Sequence, residues 1–219
     1  MKIVFYILFG ISALAHLYFC TPPQKHVLRR YTKPLLMPLL VGCYALTVET
    51  PSVLIVIALA LSCIGDVLFL LPEKTMLLRG GLAVFSAASL LYAVSCLMQL
   101  GSRHSTLMLI ATVVVYTALL VLYLYKFSKY LTPAIAPFLC IASCSAMLMS
   151  LSAFFFAFTN EGVAPKLVFA GSLFFLVSGV LVTQHYLHKR FRFGNFFVML
   201  TYLIAQSLMI FGFIGALGA

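Results

Sequence analysis

Asp66 is the residue whose type and position in this chain point most clearly to a chemical role. It lies inside an apolar run from residue 52 to residue 71 that has no other charge. A carboxylate within a membrane-spanning helix costs roughly 2.5–3.5 kcal/mol, so such groups usually face a bundle interior and serve a function. The chain's other three acids, Glu49, Glu73 and Glu161, fall at expected helix ends or loops. Asp66 is therefore a candidate for proton chemistry. The alternative is a hydrogen-bonded residue that only locks helix packing.

Composition identifies the class of protein that must hold this carboxyl group. Of the 219 residues, 64% are hydrophobic and 8% are charged, and the mean hydropathy is +1.16. Such a chain has too little polar surface to cover a soluble globule of its size. The sequence therefore predicts an all-α fold, a polytopic membrane helix bundle.

Windows of about 20 apolar residues predict about eight transmembrane helices. The connections are short, so residues 1–219 are expected to form a single transmembrane domain. The first window, with Lys2 and Ala13-Leu14-Ala15, imitates a signal peptide, but we interpret it as helix 1. Pro51 separates the short second window from the third, which leaves open seven spans and a re-entrant second segment. The predicted spans are 3–19, 34–48, 52–71, 76–100, 106–125, 133–157, 165–187 and 194–217.

The lysines and arginines predict the orientation of the bundle, because cytoplasmic loops carry an excess of them. Eleven fall on one side, against only Lys2, Arg103 and Lys166 on the other. This bias predicts a bacterial inner-membrane protein with both termini on the non-cytoplasmic side. It also explains the net charge of +10 by insertion and anionic headgroups, so nucleic acid is not an expected partner. The eleven are Lys25, Arg29, Arg30, Lys33, Lys74, Arg79, Lys126, Lys129, Lys189, Arg190 and Arg192.

Polar side chains of several predicted helices fall at a similar depth to Asp66. Ser62 precedes it by one turn and shares its helix face. Lys33, directly before Pro34 at the expected start of helix 2, could cap the mouth of a pocket or meet a lipid phosphate. Together these groups predict one pocket in the cytoplasmic half of the bundle. The other members, from helices 4, 7 and 8, are Ser86, Ser89, Tyr92, Ser178, His185, Asn195, Tyr202 and Gln206.

Each member of this set also has a plainer interpretation. Tyr92 and Tyr202 could be packing aromatics, and Gln206 could join helices by hydrogen bonds. Serines often bond local backbone carbonyls, and His185 could belong to a solvated basic loop. The six cysteines form no C-x-x-C pair and have no nearby pair of histidines, so no metal site is predicted. Nothing in the sequence suggests a cofactor.

Four stretches resemble the YhhN family of eight-helix membrane proteins, which includes lysoplasmalogenases. The most specific is Ser62-Cys-Ile-Gly-Asp66-Val-Leu-Phe-Leu-Leu-Pro72, which resembles that family's S-x-x-G-D-x-x-L-x-x-P signature. Lys33-Pro34-Leu35 resembles its Lys-Pro at helix 2. Gly171-Ser-Leu-Phe-Phe-Leu-Val-Ser178 is similar to its helix 7 segment, and Thr201-Tyr-Leu-Ile-Ala-Gln206 to its T-Y-x-x-A-Q. The order and spacing agree over nearly the whole chain.

The resemblance implies hydrolysis of the vinyl ether bond of a lysoplasmalogen to a fatty aldehyde and a glycerophospho-alcohol. Protonation of the enol ether β-carbon gives an oxocarbenium ion, which water captures. A buried carboxylic acid can stay protonated near neutral pH and deliver that proton, and its carboxylate can stabilise the cation. Asp66 is the expected general acid. The expected catalytic helpers are Tyr92, Tyr202 and Gln206, and the expected substrate-binding residues are Lys33, Ser62, Ser89, Ser178 and His185.

Two positions depart from the pattern of active family members. These typically carry a second acid directly after the helix 7 serine, where this chain has Gly179, and commonly a histidine where it has Ser89. Three functions therefore stay open. The first is a lysoplasmalogenase-like hydrolase acting on a membrane lysophospholipid, and the second a lipid-binding or lipid-transporting protein without catalysis. The third, a proton-coupled transporter, is disfavoured because no paired broken helices occur. The oligomeric state is left open.

Overall fold

The computed structural model of the chain describes residues 2–21, 26–71, 74–101 and 106–218. Lys25, Pro72, Glu73 and Arg103, which entered the sequence interpretation, lie outside the described residues. Within them, the chain forms eight α-helices and one π-helical turn, and no strand, which confirms the predicted all-α fold. The helices are α1 (Lys2–Cys20), α2 (His26–Ala45), α3 (Val53–Leu68), α4 (Thr75–Leu97), α5 (Thr106–Ser128), α6 (Ala136–Thr159), α7 (Ala164–Thr183) and α8 (Gly194–Leu217), with the π-helical turn at Gln184–His188 after α7.

Six of the described helices, all except α2 and α3, are long and apolar enough to cross a membrane. The other two differ for separate reasons. The 16 residues of α3 are fewer than the roughly 20 that span a bilayer core, and α2 carries Arg29, Arg30 and Lys33 within its length. These features support a multi-pass membrane protein in which α2 and α3 bring polar groups into the bundle.

The predicted start of helix 2 at Pro34 is wrong, because α2 begins at His26 and contains both Pro34 and Pro38. The apolar window missed its first two turns, where charged residues lower the hydropathy. A proline within a helix leaves the carbonyl four residues earlier without its usual N–H donor. For Pro38 that carbonyl belongs to Pro34, and the Cys63 thiol of α3 donates to it over 3.6 Å. α2 is thus one continuous helix of 20 residues.

Glycines allow α7 and α8 to pack backbone against backbone. A Cβ atom at Gly171 would lie 2.8 Å from the carbonyl oxygen of Ala205, and one at Gly212 would lie 2.7 Å from that of Ala164. Small residues that permit such close approach are typical of helix contacts in membranes. The pairing of early α7 with late α8 makes these helices antiparallel. The end of α7 and the start of α8 therefore lie at the same end of the bundle.

Helix α5 is the least packed element. It contacts mainly α6, and Leu107, Val114 and Leu122 along its length are exposed. Because these side chains are apolar, their natural surroundings are lipid tails. The core is formed instead by α2, α3, α4 and α8, which contribute most of the fully buried large side chains.

Candidate active site

Asp66 lies two residues before the end of α3 and is only 2% exposed. Its Oδ1 lies 3.3 Å from the Lys33 Nζ of α2. Its Oδ2 accepts a hydrogen bond of 3.1 Å from the Tyr202 hydroxyl of α8. Three helices therefore hold both carboxyl oxygens. A buried charge of this kind is tolerated when it is both paired and hydrogen-bonded.

Lys33 was predicted to cap the mouth of a pocket or to meet a lipid phosphate, and the structure places it inside the bundle beside Asp66. It lies about two turns inside α2, is 5% exposed and pairs with Asp66. Because residues 26–32 are helical, Lys33 lies deeper in α2 than the apolar window indicated. An isolated ammonium would be costly at this depth, so the carboxylate of Asp66 explains how Lys33 can be buried.

A chain of hydrogen bonds lies behind Asp66 and Tyr202. Gln206, one turn after Tyr202 on α8, donates from Nε2 to the Ser62 Oγ over 3.5 Å. Its Oε1 accepts a hydrogen bond of 3.0 Å from the Tyr92 hydroxyl of α4. Ser62 in turn donates to the Ala58 carbonyl over 2.9 Å. All three side chains are buried, so they fix α3, α4 and α8 relative to one another.

A cavity of about 600 Å³ opens beside this group. Its polar wall contains Lys33, Asp66 and Tyr202 together with Ser89 and Ser178. The remaining walls come from α4 to α8 and are predominantly apolar. This size falls within the range of about 300–1,000 Å³ that is typical of small-molecule pockets. The arrangement places one buried ionisable pair at the edge of an apolar chamber, which suits a long-chain molecule with one polar reacting group.

The predicted site residues fall into three groups. Asp66, Tyr202, Lys33, Ser89 and Ser178 line the cavity. Ser178 also donates to the Val198 carbonyl over 3.2 Å, which fixes its side chain. The second group, Ser62, Tyr92 and Gln206, lies behind the wall. His185 is apart from both, in the π-helical turn.

Comparison with protein families identifies the relationship of the chain. The sequence profile of the YhhN family matches residues 28–213, a range that includes every residue of the polar wall. The chain belongs to the YhhN family. Neither a curated protein nor a solved structure matches it.

In this YhhN family member, aromatic rings that the sequence interpretation missed enclose Tyr202. Phe85 of α4 contacts its ring edge to face at 5.8 Å between centroids, and Phe175 of α7 lies at 6.3 Å. Gly65 makes the approach of Phe85 possible, since a Cβ atom there would lie 2.7 Å from that ring. In the sequence, the glycine directly before Asp66 was the feature that could have indicated this close approach of a ring. Its role is to let an aromatic ring cover the site.

Three further polar residues of the cavity wall were also missed, Tyr123, Ser143 and Thr183. Tyr123 of α5 and Thr183 of α7 share a hydrogen bond of 2.6 Å, and both line the cavity. This bond joins the loosely packed α5 to the end of α7. Tyr123 is one of three tyrosines in α5, and a tyrosine in an apolar helix carries little signal in sequence, because it fits an interfacial position equally well.

Proposed function

We propose that this YhhN protein is a lysoplasmalogenase-like membrane hydrolase that cleaves the vinyl ether bond of lysoplasmalogens, with Asp66 as the general acid. The observation that carries the proposal is the buried pair of Lys33 and Asp66 in the wall of an otherwise apolar cavity. Vinyl ether hydrolysis needs one positioned acid and room for a hydrocarbon chain. It needs no redox partner.

The proposed reaction starts with proton transfer from Asp66 to the β-carbon of the enol ether. The π electrons of the double bond form the new C–H bond and leave an oxocarbenium ion, which the Asp66 carboxylate stabilises. Water then adds to the cationic carbon and returns a proton to Asp66. The hemiacetal so formed collapses to a fatty aldehyde and a glycerophospho-alcohol. General acid catalysis of this kind typically contributes about 10²–10⁴-fold in rate.

The contacts of Asp66 suggest how it is reloaded. Both of its oxygens accept hydrogen bonds, as in a carboxylate. The proton that water returns to Asp66 passes on to Lys33 in this resting pair, so it must come back before the next first step, and the Lys33 ammonium at 3.3 Å is positioned to supply it. Tyr202 then holds the carboxylate in place while the cation exists. Lys33 thus takes the role of proton source that a second acid would otherwise fill.

We also propose that substrate reaches the cavity from the cytoplasmic leaflet of a bacterial inner membrane, with both termini outside. The charge bias supports this orientation. Without the buried Arg29 and Lys33, nine of the eleven basic residues remain against three. Alkaline phosphatase fused after Ala219 should be active, because it folds outside the cytoplasm. An inactive fusion would instead indicate the opposite orientation, with the C-terminus in the cytoplasm.

Aldehyde release from 1-alkenyl lysophosphatidylethanolamine by purified protein in mild detergent tests the proposed activity. We expect release by the parent and a loss of about 100-fold or more in Asp66→Asn. Glu49→Gln is the matched control, because Glu49 is exposed, and it should keep parental activity. Full activity in Asp66→Asn would contradict the assignment of Asp66.

A catalytically divergent lipid-binding protein is the second candidate, and Gly179 is the observation that favours it. Gly179 lines the cavity where active relatives are expected to carry a second acid. A Cβ atom there would meet nothing within 4 Å. Gly179→Asp is therefore sterically possible. Co-purified lipid with no turnover in the parent, and turnover only in Gly179→Asp, would favour this alternative.

A further inference from the structure

Arg29 is a second buried cation, and the proposed reaction does not use it. It lies one turn before Lys33 on α2 and is only 9% exposed. Its Nε is fully buried and has no hydrogen-bond partner among the described residues. A guanidinium offers five N–H donors in a planar fork that matches phosphate and carboxylate oxygens. A buried donor left without an acceptor costs free energy, so this position calls for an explanation.

The described surroundings of Arg29 contain no carboxylate that could serve as its partner. Asp66 is held by Lys33 and Tyr202. Glu49 and Glu161 lie in the loops after α2 and α6, at the opposite end of the bundle from Arg29. The nearby groups are instead neutral or basic. Those close enough to interact with Arg29 are His16, Cys20, His185 and Tyr186.

These neighbours are themselves held in place. His16 shares a hydrogen bond of 2.7 Å with Thr32 through Nδ1, and its Nε2 contacts the Cys20 Sγ at 3.6 Å. The Tyr186 hydroxyl donates to the Asn195 Oδ1, and its oxygen accepts a hydrogen bond from the Arg29 guanidinium, whose Nε is left without a partner among the described residues. His185 accepts the Phe191 N–H at Nδ1 over 3.2 Å. These contacts make a fixed polar cluster around the Arg29 guanidinium, and the buried His185 and Asn195 belong to it.

We propose that Arg29 binds the phosphate of the lysophospholipid headgroup while Lys33 and Asp66 face the ether bond. This inference rests on the proposed function for the identity of the lipid. Arg29 and Lys33 share a helix face and are separated by about 6 Å of helix rise. Both interact with the same ring, that of His16. In a lysophospholipid the phosphorus is five bonds from the ether oxygen, a comparable distance. The headgroup would then lie at Arg29, the glycerol at Lys33 and the chain in the cavity.

A binding comparison that involves no turnover tests this site. The probes are 1-O-hexadecyl lysophosphatidylethanolamine, whose saturated ether cannot react by enol ether protonation, and 1-O-hexadecylglycerol, which has the same chain without phosphate. Their dissociation constants are measured in mixed detergent micelles at equal mole fraction. We expect the parent to prefer the phosphate-bearing lipid by about 10-fold, as for hydrogen bonds to a charged group.

The matched variants are Arg29→Gln and Arg30→Gln, because Arg30 is the exposed neighbour on the same helix. The preference should fall to about twofold or less in Arg29→Gln and stay parental in Arg30→Gln. An unchanged preference in Arg29→Gln, or no preference in the parent, would overturn the proposal. Should Arg29→Gln not fold, Arg29→Lys carries the test. Arg29→Lys keeps the charge but lacks the planar set of N–H donors. Its preference for the phosphate-bearing lipid over 1-O-hexadecylglycerol should lie between the parental preference and no preference.

Inorganic phosphate distinguishes a lipid headgroup from a free anion. We expect no measurable protection against thermal unfolding at phosphate concentrations equal to those of the lipid. Equal protection by inorganic phosphate would overturn the lipid assignment in favour of a free phosphate site. The saturated probe also separates this inference from the proposed function. Absence of vinyl ether turnover would contradict the reaction alone, and absence of a phosphate preference would contradict the anion site alone.

Discussion

The two sides of the cavity differ in how tightly their helices are packed. On the side formed by α2, α3, α4 and α8, the polar groups are almost fully buried, and the contacts of Asp66, Tyr202 and Gln206 join all four helices. On the side of α5, most residues are exposed apolar side chains, and Tyr123 with Thr183 supplies a hydrogen bond to α7.

This difference indicates a division of labour within the bundle. A buried ion pair is tolerated only where the surrounding structure holds its geometry, so the proposed chemistry belongs on the packed side. A hydrocarbon chain needs volume and few directional contacts, so the loosely packed side suits the substrate tail. Substitutions on the packed side should therefore change turnover and stability. Those on the α5 side should change mainly which chains are accepted.

Lys33→Met should have the largest effect among the partners of Asp66. It leaves a buried carboxylate without its counter-charge, which typically destabilises a protein by roughly 3–5 kcal/mol. It also removes the proposed proton source, so turnover should fall by about 100-fold or more. Unfolding in mild detergent and aldehyde release measure the two effects.

The double variant Lys33→Met with Asp66→Leu separates stability from chemistry. Because it removes both charges, it should recover much of the lost stability while remaining inactive. Recovery of turnover together with stability would show that the pair is only structural. That result would contradict the proposed placement of the chemistry on the packed side of the cavity.

Two Tyr→Phe substitutions compare the two sides directly. Tyr202→Phe removes the hydrogen bond to Asp66 and should lower kcat by about 10- to 100-fold, as expected for a bond to a charged group. Tyr123→Phe removes the hydrogen bond to Thr183, which still donates to the Gly179 carbonyl over 3.0 Å. Its effect on kcat should be about threefold or less. Equal losses in the two variants would contradict the comparison.

The smallest effect is expected from a substitution that changes the shape of the cavity. Ala142 lines it, so Ala142→Leu should shift preference toward shorter chains by about 3- to 10-fold in kcat/KM. Ala118 is exposed on α5 and does not line the cavity, so Ala118→Leu is the control. Competition between substrates of two chain lengths measures the shift. If Ala142→Leu had the same chain-length preference as the parent, the substrate tail would lie elsewhere.

Much of the fold could be predicted from sequence, because apolar windows report directly on helices that face lipid. The eight helices are confirmed, and most predicted ends differ from the observed ones by only a few residues. The window method failed at α2, where hydropathy falls while the chain remains helical. Arg29 and Lys33 are buried there by a partner and by neighbours distant in sequence, which no local window can detect.

The site could be predicted in part, by depth. Alternating helix directions place the ends of α3 and α7 and the starts of α4 and α8 at the same end of the bundle, so Asp66 and Tyr202 could be expected near each other. Depth does not say which face of a helix meets which neighbour. For this reason Ser62, Tyr92 and Gln206 were grouped with the lining residues although they lie behind the wall. His185, at a similar depth, lies in the polar cluster around Arg29.

Deuterium incorporation tests the central claim most directly. Hydrolysis of 1-alkenyl lysophosphatidylethanolamine is carried out in D₂O, and the aldehyde is reduced to its alcohol as it forms. Mass spectrometry then reads the label at carbon 2. Protonation of the β-carbon through the pair of Lys33 and Asp66 predicts one deuterium there with the parent, and almost no product with Asp66→Asn. Unlabelled product from the parent, or labelled product at the parental rate from Asp66→Asn, would contradict the account.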